Sequence, residues 1–257
     1  AGGGRAARVL GEAGADCVLL EAGPTWSAAT DGAMFKWSYD SPRRGASSRR
    51  KTFAEFDGCL GGWDLEGEPY TVAEGQRFLW FRARMLGGRT NHWGRISLRF
   101  GPWDFQGRSR DGVGDDWPIG YDDVAPYYDK LERMVGLFGS IENLPNEPDG
   151  IFQPPPAPRA YELLAKKACK GLGITCIPSR LSVLTKPLGD RPACHYCGQC
   201  GRGCATRSNF STPSVLLPPA LATGRLKILT GAMAREVLSN AEGRATGVSY
   251  VETPSGR

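Results

Sequence analysis

The stretch AGGGRAARVLGEAGADCVLLEAG, residues 1–23, decides the fold that this chain predicts. Gly2, Gly3 and Gly4 allow a backbone to approach a phosphate at the start of a helix, where free N–H groups and the helix dipole favour an anion. The apolar run after the helix ends in Glu21, and a carboxylate at that position can hold the ribose hydroxyls of a dinucleotide. The stretch therefore predicts a dinucleotide-binding unit that begins inside its own phosphate loop, and a plain glycine-rich helix start is the alternative.

The same stretch predicts which residues are buried. We expect the helix to pack through the face formed by Ala6, Val9, Leu10 and Ala13. Gly14 follows the last of these residues and is placed to end the helix. The next run, Cys17 to Leu20, is continuously apolar, as expected for a buried strand of a parallel sheet.

Composition narrows the class of protein. The chain has 257 residues, a length that suffices for one or two domains of a soluble enzyme. Its net charge of +5 is mild. The densest basic segment, RRGASSRRK at residues 43–51, is flanked by small residues and predicts a solvated loop. It lacks the interleaved aromatic residues that nucleic-acid binding requires, so no nucleic-acid partner is expected. The sequence contains no run of about 18 apolar residues, so we expect no transmembrane helix.

Four cysteines fall close together in ACHYCGQCGRGCA, and the chemistry of this run has several readings. Cys194, Cys197, Cys200 and Cys204 have the C-x2-C-x2-C-x3-C spacing of a bacterial iron–sulfur ligand loop. A structural zinc site would favour two separate pairs of ligands, and disulfides between such close neighbours would be strained. An iron–sulfur cluster is therefore the favoured interpretation, with zinc, disulfides and reduced structural thiols as alternatives.

The segment RARMLGGRTNHWGRISLRF, residues 82–100, is the most specific in the chain. Gly87 and Gly88 permit close backbone approach to a ligand, while Thr90 and Asn91 offer polar contacts. His92 and the following tryptophan add an imidazole and a large aromatic plane.

Together with the glycine-rich start, this segment resembles the glucose-methanol-choline (GMC) oxidoreductases, a family of flavoproteins. The resemblance implies an α/β fold, namely a Rossmann-like FAD-binding fold with inserted α+β elements. It also implies FAD contacts at Gly87, Gly88, Thr90 and Asn91, a ribose contact at Glu21, and an adenine contact at Ala234, together with the three glycines of the helix start.

The stretch GGRTNHW is also similar to the segment of pyranose oxidases in which a histidine is bonded covalently to the flavin. His92 occupies that position, so the resemblance implies covalent FAD. The alternative is a histidine that supports the loop through hydrogen bonds.

Other segments extend the resemblance over nearly the whole chain. WPIGYDDVAPYYDKLERMVG, residues 117–136, is similar to a family segment and predicts a turn followed by an amphipathic helix. The predicted buried stripe of that helix is Val124, Tyr128, Leu131 and Val135. Residues 205–221 resemble a family segment that leads into a helix ending near a glycine. Residues 227–251 predict strands with a turn at residues 240–244.

The cysteine run resembles that of the flavoprotein large subunits of bacterial gluconate and fructose dehydrogenases. On that resemblance Cys194, Cys200 and Cys204 would hold a [3Fe–4S] cluster. Cys197 would then be an extra thiol, or a fourth ligand if the cluster is of the [4Fe–4S] type. A cluster would pass electrons singly to a cytochrome or quinone acceptor. The resemblance fits either the bacterial cytoplasm or the periplasmic face of the inner membrane.

The resemblance further implies an alcohol or sugar substrate and a catalytic base from a His/His or His/Asn pair. His92 and His195 are the only histidines, and neither lies in such a segment. We therefore expect the catalytic pair beyond Arg257, and residues 1–257 to be a truncated N-terminal FAD-binding portion, incomplete at both ends and inactive alone. An iron–sulfur module without flavin, or an NAD-dependent enzyme, are the competing functions.

Overall fold

The computed structural model describes residues 1–30, 73–76, 83–198 and 200–252. Its α-helices are α1 (Gly2–Glu12), α2 (Gly107–Asp111), α3 (Tyr121–Val135), α4 (Ala160–Gly171) and α5 (Leu217–Ala222). Its strands are β1 (Cys17–Glu21), β2 (Leu137–Phe138), β3 (Phe152–Gln153), β4 (Leu226–Thr230), β5 (Ala232–Ser239) and β6 (Ala245–Glu252). Shorter elements are 3-10 turns at Gly88–Asn91, Pro102–Phe105 and Cys200–Arg202, and a π-helix at Thr212–Leu216. The basic segment 43–51 lies outside the described residues.

The chain divides into two compact units, of which the first comprises residues 1–94, 198–207 and 211–257. In this unit β1 pairs with β4 in parallel, so that Cys17 lies opposite Leu226 and Glu21 lies opposite Thr230. Helices α1 and α5 supply much of the hydrophobic core that covers this sheet. The buried residues of that core are Ala7, Leu86, Leu217, Ala220 and Leu226. The mixed α/β class predicted from the sequence is therefore present.

The face through which α1 packs differs from the prediction. Gly4, Ala7 and Gly11 are buried, whereas the predicted face of Ala6, Val9, Leu10 and Ala13 is exposed. The reason is close approach: a Cβ atom on Gly11 would stand only 3.3 Å from Thr223 Oγ1. Small residues thus form the contact surface of this helix. The predicted end of the helix is confirmed, because Gly14 has a left-handed φ of 91°.

Strand β1 is covered on one face rather than on both. Cys17 and Leu19 pack against the core, but Val18 is 62% exposed. The predicted continuous burial of residues 17–20 is therefore wrong for Val18, because side chains alternate across a strand and the described residues cover only one side.

The predicted strands and turn near the end of the chain are confirmed. Strands β5 and β6 pair in antiparallel fashion. The Asn240 N–H donates to the Arg244 carbonyl oxygen at 2.9 Å and closes the turn between them.

The second unit comprises residues 95–197 and 208–210. Helix α3 lies within the predicted segment, but its predicted stripe is only partly correct, since Leu131 is 37% exposed and Glu132 is 5% exposed. A buried arginine explains the difference. Arg99 donates from Nε to Glu132 Oε1 at 2.8 Å and from Nη2 to Oε2 at 2.5 Å. The carboxylate is buried because it is paired with this guanidinium.

Within the described ranges, none of the helices combines the length and the hydrophobicity needed to cross a bilayer.

Candidate dinucleotide site

The candidate site begins at the carboxyl end of β1 with Glu21. One carboxylate oxygen, Oε1, accepts a hydrogen bond from the Gly23 N–H at 2.8 Å. Burial raises the pKa of Glu21, and the Gly23 N–H and the charge of Arg84 oppose that rise. The Ala22 N–H also donates to this carboxylate and lowers its pKa. An ionised carboxylate can accept several hydrogen bonds, so Glu21 can still accept one from a ligand.

The residues after Glu21 hold a distant segment against the end of β1. A Cβ atom on Gly23 would overlap the backbone of Arg84 and Met85, so only glycine permits this approach. The Leu86 N–H donates to the Pro24 carbonyl oxygen at 2.9 Å. These contacts place residues 84–91 directly beside the strand that carries Glu21.

Two glycines form the turn in this segment. Gly87 has a φ of 90° and Gly88 a φ of 51°, both in the left-handed region that favours glycine. A Cβ atom on Gly87 would overlap the ring of Pro213, whereas one on Gly88 would meet nothing within 4 Å in the part of the chain that the structure describes. Gly87 is thus required for packing, and Gly88 presents open backbone.

The polar residues of the turn brace it from within. Thr90 Oγ1 donates to the Gly87 carbonyl oxygen at 2.6 Å and accepts from the Thr212 N–H at 3.0 Å. Asn91 is 4% exposed, and its Nδ2 donates to the Leu86 carbonyl oxygen at 3.0 Å. The predicted ligand contacts of Thr90 and Asn91 stay predictions, but both side chains shape the glycine turn.

The three glycines of the chain start lie in the first turn of α1 rather than in a turn before it. Gly2 and Gly3 are exposed, and Cβ atoms on them would meet no atom of the described residues within 4 Å. Gly4 is buried, and a Cβ atom there would overlap Thr212 Cγ2. The start of α1 is therefore open to a ligand on one side and closed by Thr212 on another.

Sequence reasoning missed Thr212, although it contacts both of the predicted glycine segments. Its side chain lies against Gly4, and its backbone binds Thr90. The signal was the tripeptide Ser-Thr-Pro at residues 211–213. Ser211 caps the π-helix through its hydroxyl, which accepts from the Ser214 N–H at 3.3 Å.

The structure also gives the positions of His92 and Ala234, the remaining predicted cofactor residues. His92 follows the 3-10 turn Gly88–Asn91 and is 3% exposed. Ala234 is exposed on β5 and pairs with Tyr250 of β6. Covalent attachment at His92 and adenine contact at Ala234 stay predictions.

The structure does not support the predicted metal ligands. All four cysteines of the run are described, and they are present as thiols. Tyr196 N–H approaches Cys194 Sγ at 3.3 Å, and Cys204 Sγ lies 3.4 Å from Thr206 Oγ1. In the described part of the chain, no group of three His, Cys, Asp or Glu side chains is arranged to hold a metal ion. An iron–sulfur cluster is thus not supported by the described residues, and the ligand roles of Cys194, Cys197, Cys200 and Cys204 stay predictions.

A glycine-rich helix start beside a parallel strand that ends in a carboxylate is the arrangement of an α/β dinucleotide-binding unit. Comparison with known proteins specifies the class further. The sequence profile described as GMC oxidoreductase matches residues 2–257, and the chain belongs to this family.

Several curated relatives are similar to this chain. Paromamine 6'-oxidase from Streptomyces fradiae is 31% identical, over 68% of this chain and 30% of its own length. A 2-methyl-1,2-propanediol dehydrogenase from Mycolicibacterium austroafricanum is 32% identical, over 66% of this chain and 31% of its own length. The fructose dehydrogenase large subunit from Gluconobacter japonicus is 28% identical, over 65% of this chain and 31% of its own length. The matched part of the chain corresponds to about a third of each of these relatives.

Proposed function

We propose that this chain is the FAD-binding part of an oxidoreductase that acts on the CH–OH group of a sugar, sugar acid or other alcohol. The observation that carries the proposal is the meeting of three segments at the end of β1. These are the half-buried Glu21 carboxylate, the glycine turn at residues 87–88 and, through Thr212, the open start of α1. The relatives support the substrate class, since they include a 2-methyl-1,2-propanediol dehydrogenase and a fructose dehydrogenase large subunit.

The residues present fit a dinucleotide. We assign the ribose hydroxyl to the Glu21 carboxylate, whose Oε1 accepts from the Gly23 N–H at 2.8 Å and which ends a strand, as the ribose-binding acid of a dinucleotide fold does. The start of α1 offers backbone N–H groups and open space to a pyrophosphate, and its first turn contains no acidic side chain that would repel an anion. Gly88 adds a second stretch of open backbone.

When bound, FAD supplies the acceptor for the hydride and two electrons that leave the alcohol carbon. The chain itself binds and orients the cofactor. Burial of the Asn91 amide and the His92 ring keeps water out of the loop behind the glycine turn. His92 is the residue that we propose for covalent attachment, on the family resemblance of GGRTNHW.

The proposal includes no iron–sulfur relay, because the thiols of residues 194–204 are not arranged as a metal site among the described residues. Electron transfer to a cytochrome or quinone is the proposed fate of the electrons. Oxygen, a quinone analogue and cytochrome c, compared as acceptors for the substrate-reduced protein, would identify which is used.

The test is absorbance of the full-length protein. We expect the two visible bands of a flavin, and anaerobic addition of an alcohol or sugar substrate should bleach them. Acid precipitation should leave the flavin in the pellet if His92 is bonded to it, and in the supernatant if the histidine only supports the loop. A folded full-length protein without flavin, or with an iron–sulfur shoulder alone, would overturn the proposal.

A further inference from the structure

The Thr212 hydroxyl is a buried polar group of the first unit for which the described residues supply no partner. Thr212 is 4% exposed, and among the residues that the structure describes, none forms a hydrogen bond with its Oγ1 atom. Burying a hydroxyl without a partner is costly, and such groups in native proteins usually bind something. The backbone of the residue is already satisfied, because its N–H donates to Thr90 Oγ1 at 3.0 Å.

The position of this hydroxyl indicates what it binds. A Cβ atom on Gly4 would overlap Thr212 Cγ2, so the threonine side chain lies against the first turn of the 11-residue helix α1. The first N–H groups of a helix have no partner within the helix and attract an anion. The methyl Cγ2 is the Thr212 atom nearest to Gly4, and the hydroxyl branches from the same Cβ, which would lie 3.6 Å from a Cβ atom on Gly4. A hydroxyl that can donate suits a phosphate oxygen better than a cation or an apolar group.

The structure also explains how Thr212 is held in place. Pro213 packs where a side chain on Gly87 would otherwise lie, and Thr90 joins the Gly87 carbonyl oxygen to the Thr212 N–H. The glycine turn and the start of the π-helix are therefore fixed to each other. Any ligand that lies on the start of α1 meets a threonine whose backbone is already anchored.

We propose that the Thr212 hydroxyl donates a hydrogen bond to a phosphate oxygen of the bound dinucleotide, with Thr90 as the positioning residue. This inference rests on the proposed function and adds a ligand contact that neither glycine segment supplies. The first residue of the π-helix would thus contribute a side chain to the phosphate site. A free phosphate ion offers the same oxygen acceptors as the phosphate of a dinucleotide. The experiment must therefore distinguish binding of the dinucleotide from binding of inorganic phosphate.

The test compares Thr212→Val, which keeps the shape but removes the hydroxyl, with Thr212→Ser, which keeps the hydroxyl. Both are made in full-length protein freed of flavin by expression in a riboflavin-starved host. Calorimetry measures the Kd of adenosine, ADP and inorganic phosphate. We expect Thr212→Val to weaken ADP binding about tenfold to a hundredfold, the value of one hydrogen bond to a charged group. Adenosine binding should not change, and Thr212→Ser should restore most of the ADP affinity.

Thermal melting of the ligand-free protein gives a second, independent readout. Because Thr212→Val removes a buried hydroxyl without a partner, it should raise the melting temperature while it weakens ADP binding. A lower melting temperature with unchanged ADP affinity would mean that the hydroxyl holds a structural water, and would overturn the inference. Equal losses for adenosine and ADP would also overturn it, because the contact would not be to phosphate.

The binding measurements distinguish failure of this inference from failure of the proposed function. Wild-type protein that binds neither ADP nor FAD contradicts the proposed function. Wild-type protein that binds both, with an unaffected Thr212→Val variant, contradicts only the role of Thr212. Inorganic phosphate binding that depends on Thr212, without any ADP binding, would assign the site to a free anion and overturn the dinucleotide contact. Should Thr212→Val fail to fold, Thr212→Ala replaces it in each arm.

Discussion

Glu21 connects ligand binding to pH. Burial raises the pKa of its carboxyl above the ordinary value of 4.5, so the folded, ligand-free protein binds this proton more tightly than the unfolded chain does. Stability is consequently lost as the pH rises through the raised pKa. A ribose hydroxyl needs the ionised carboxylate as its acceptor. Ligand binding and folding therefore favour opposite protonation states of the same residue.

We accordingly predict that ADP affinity falls as the pH drops through the raised pKa of Glu21. Glu21→Gln should bind ADP about tenfold more weakly at neutral pH, because a hydrogen bond to a charged group is lost. It should also lack the acid-side fall in affinity. Calorimetric titrations over a pH series would check both effects. A pH profile that is identical in wild type and Glu21→Gln would contradict the assignment of Glu21.

At the scale of elements, α1 depends on close approach rather than on a hydrophobic stripe. Gly3 and Gly4 are neighbours in the first turn, yet only Gly4 faces a side chain that a Cβ atom would overlap, that of Thr212. Replacing glycine by alanine within a helix ordinarily stabilises it by about 0.5–1 kcal/mol. The same substitution should thus have opposite effects at the two positions.

We predict that Gly4→Ala lowers the free energy of unfolding by about 1–3 kcal/mol, the usual cost of overpacking. The matched control, Gly3→Ala, should leave the free energy of unfolding unchanged or slightly higher. Urea denaturation of the ligand-free protein measures both. Equal destabilisation by the two variants would show that Thr212 does not lie against Gly4.

Local signals explain which elements the sequence could predict. Gly14 ends α1, Glu21 ends β1, and residues 240–244 form the turn between β5 and β6, all from patterns within a few residues of each element. The errors came from contacts between distant residues. Glu132 is buried because Arg99, far back in the chain, pairs with it. Polarity alone would place such a glutamate on the surface.

The candidate site also combines residues with a local sequence signal and residues whose role depends on contacts between distant parts of the chain. Glu21 and Gly87 could be found from motifs, because close backbone approach and a terminal carboxylate have a sequence signature. Thr212 had only the weak signal of the Ser-Thr-Pro tripeptide, since its importance arises from contacts with Gly4 and Thr90, which lie more than a hundred residues before it. The cysteine run is the converse case. Its spacing alone favoured a cluster, but spacing does not fix where thiols point, and the described thiols form no metal-binding group.

At the scale of the whole molecule, the proposed dinucleotide site is formed by three segments that are far apart in sequence. The start of α1, the turn at residues 86–91 and the π-helix Thr212–Leu216 all belong to the first unit. Helix α3 belongs to the second unit and carries none of the proposed contacts. A ligand that occupies the site should therefore protect all three segments together.

We predict that FAD or ADP slows amide hydrogen exchange at residues 2–5, 86–91 and 211–216 of the flavin-free full-length protein. Residues 121–135, which form α3, should exchange at the same rate with and without ligand and serve as the internal control. Mass spectrometry of peptic fragments would measure all four ranges in one experiment. Adenosine, which lacks phosphate, should protect residues 211–216 less than ADP does. Protection limited to α3, or to only one of the three segments, would show that the segments do not form one phosphate site.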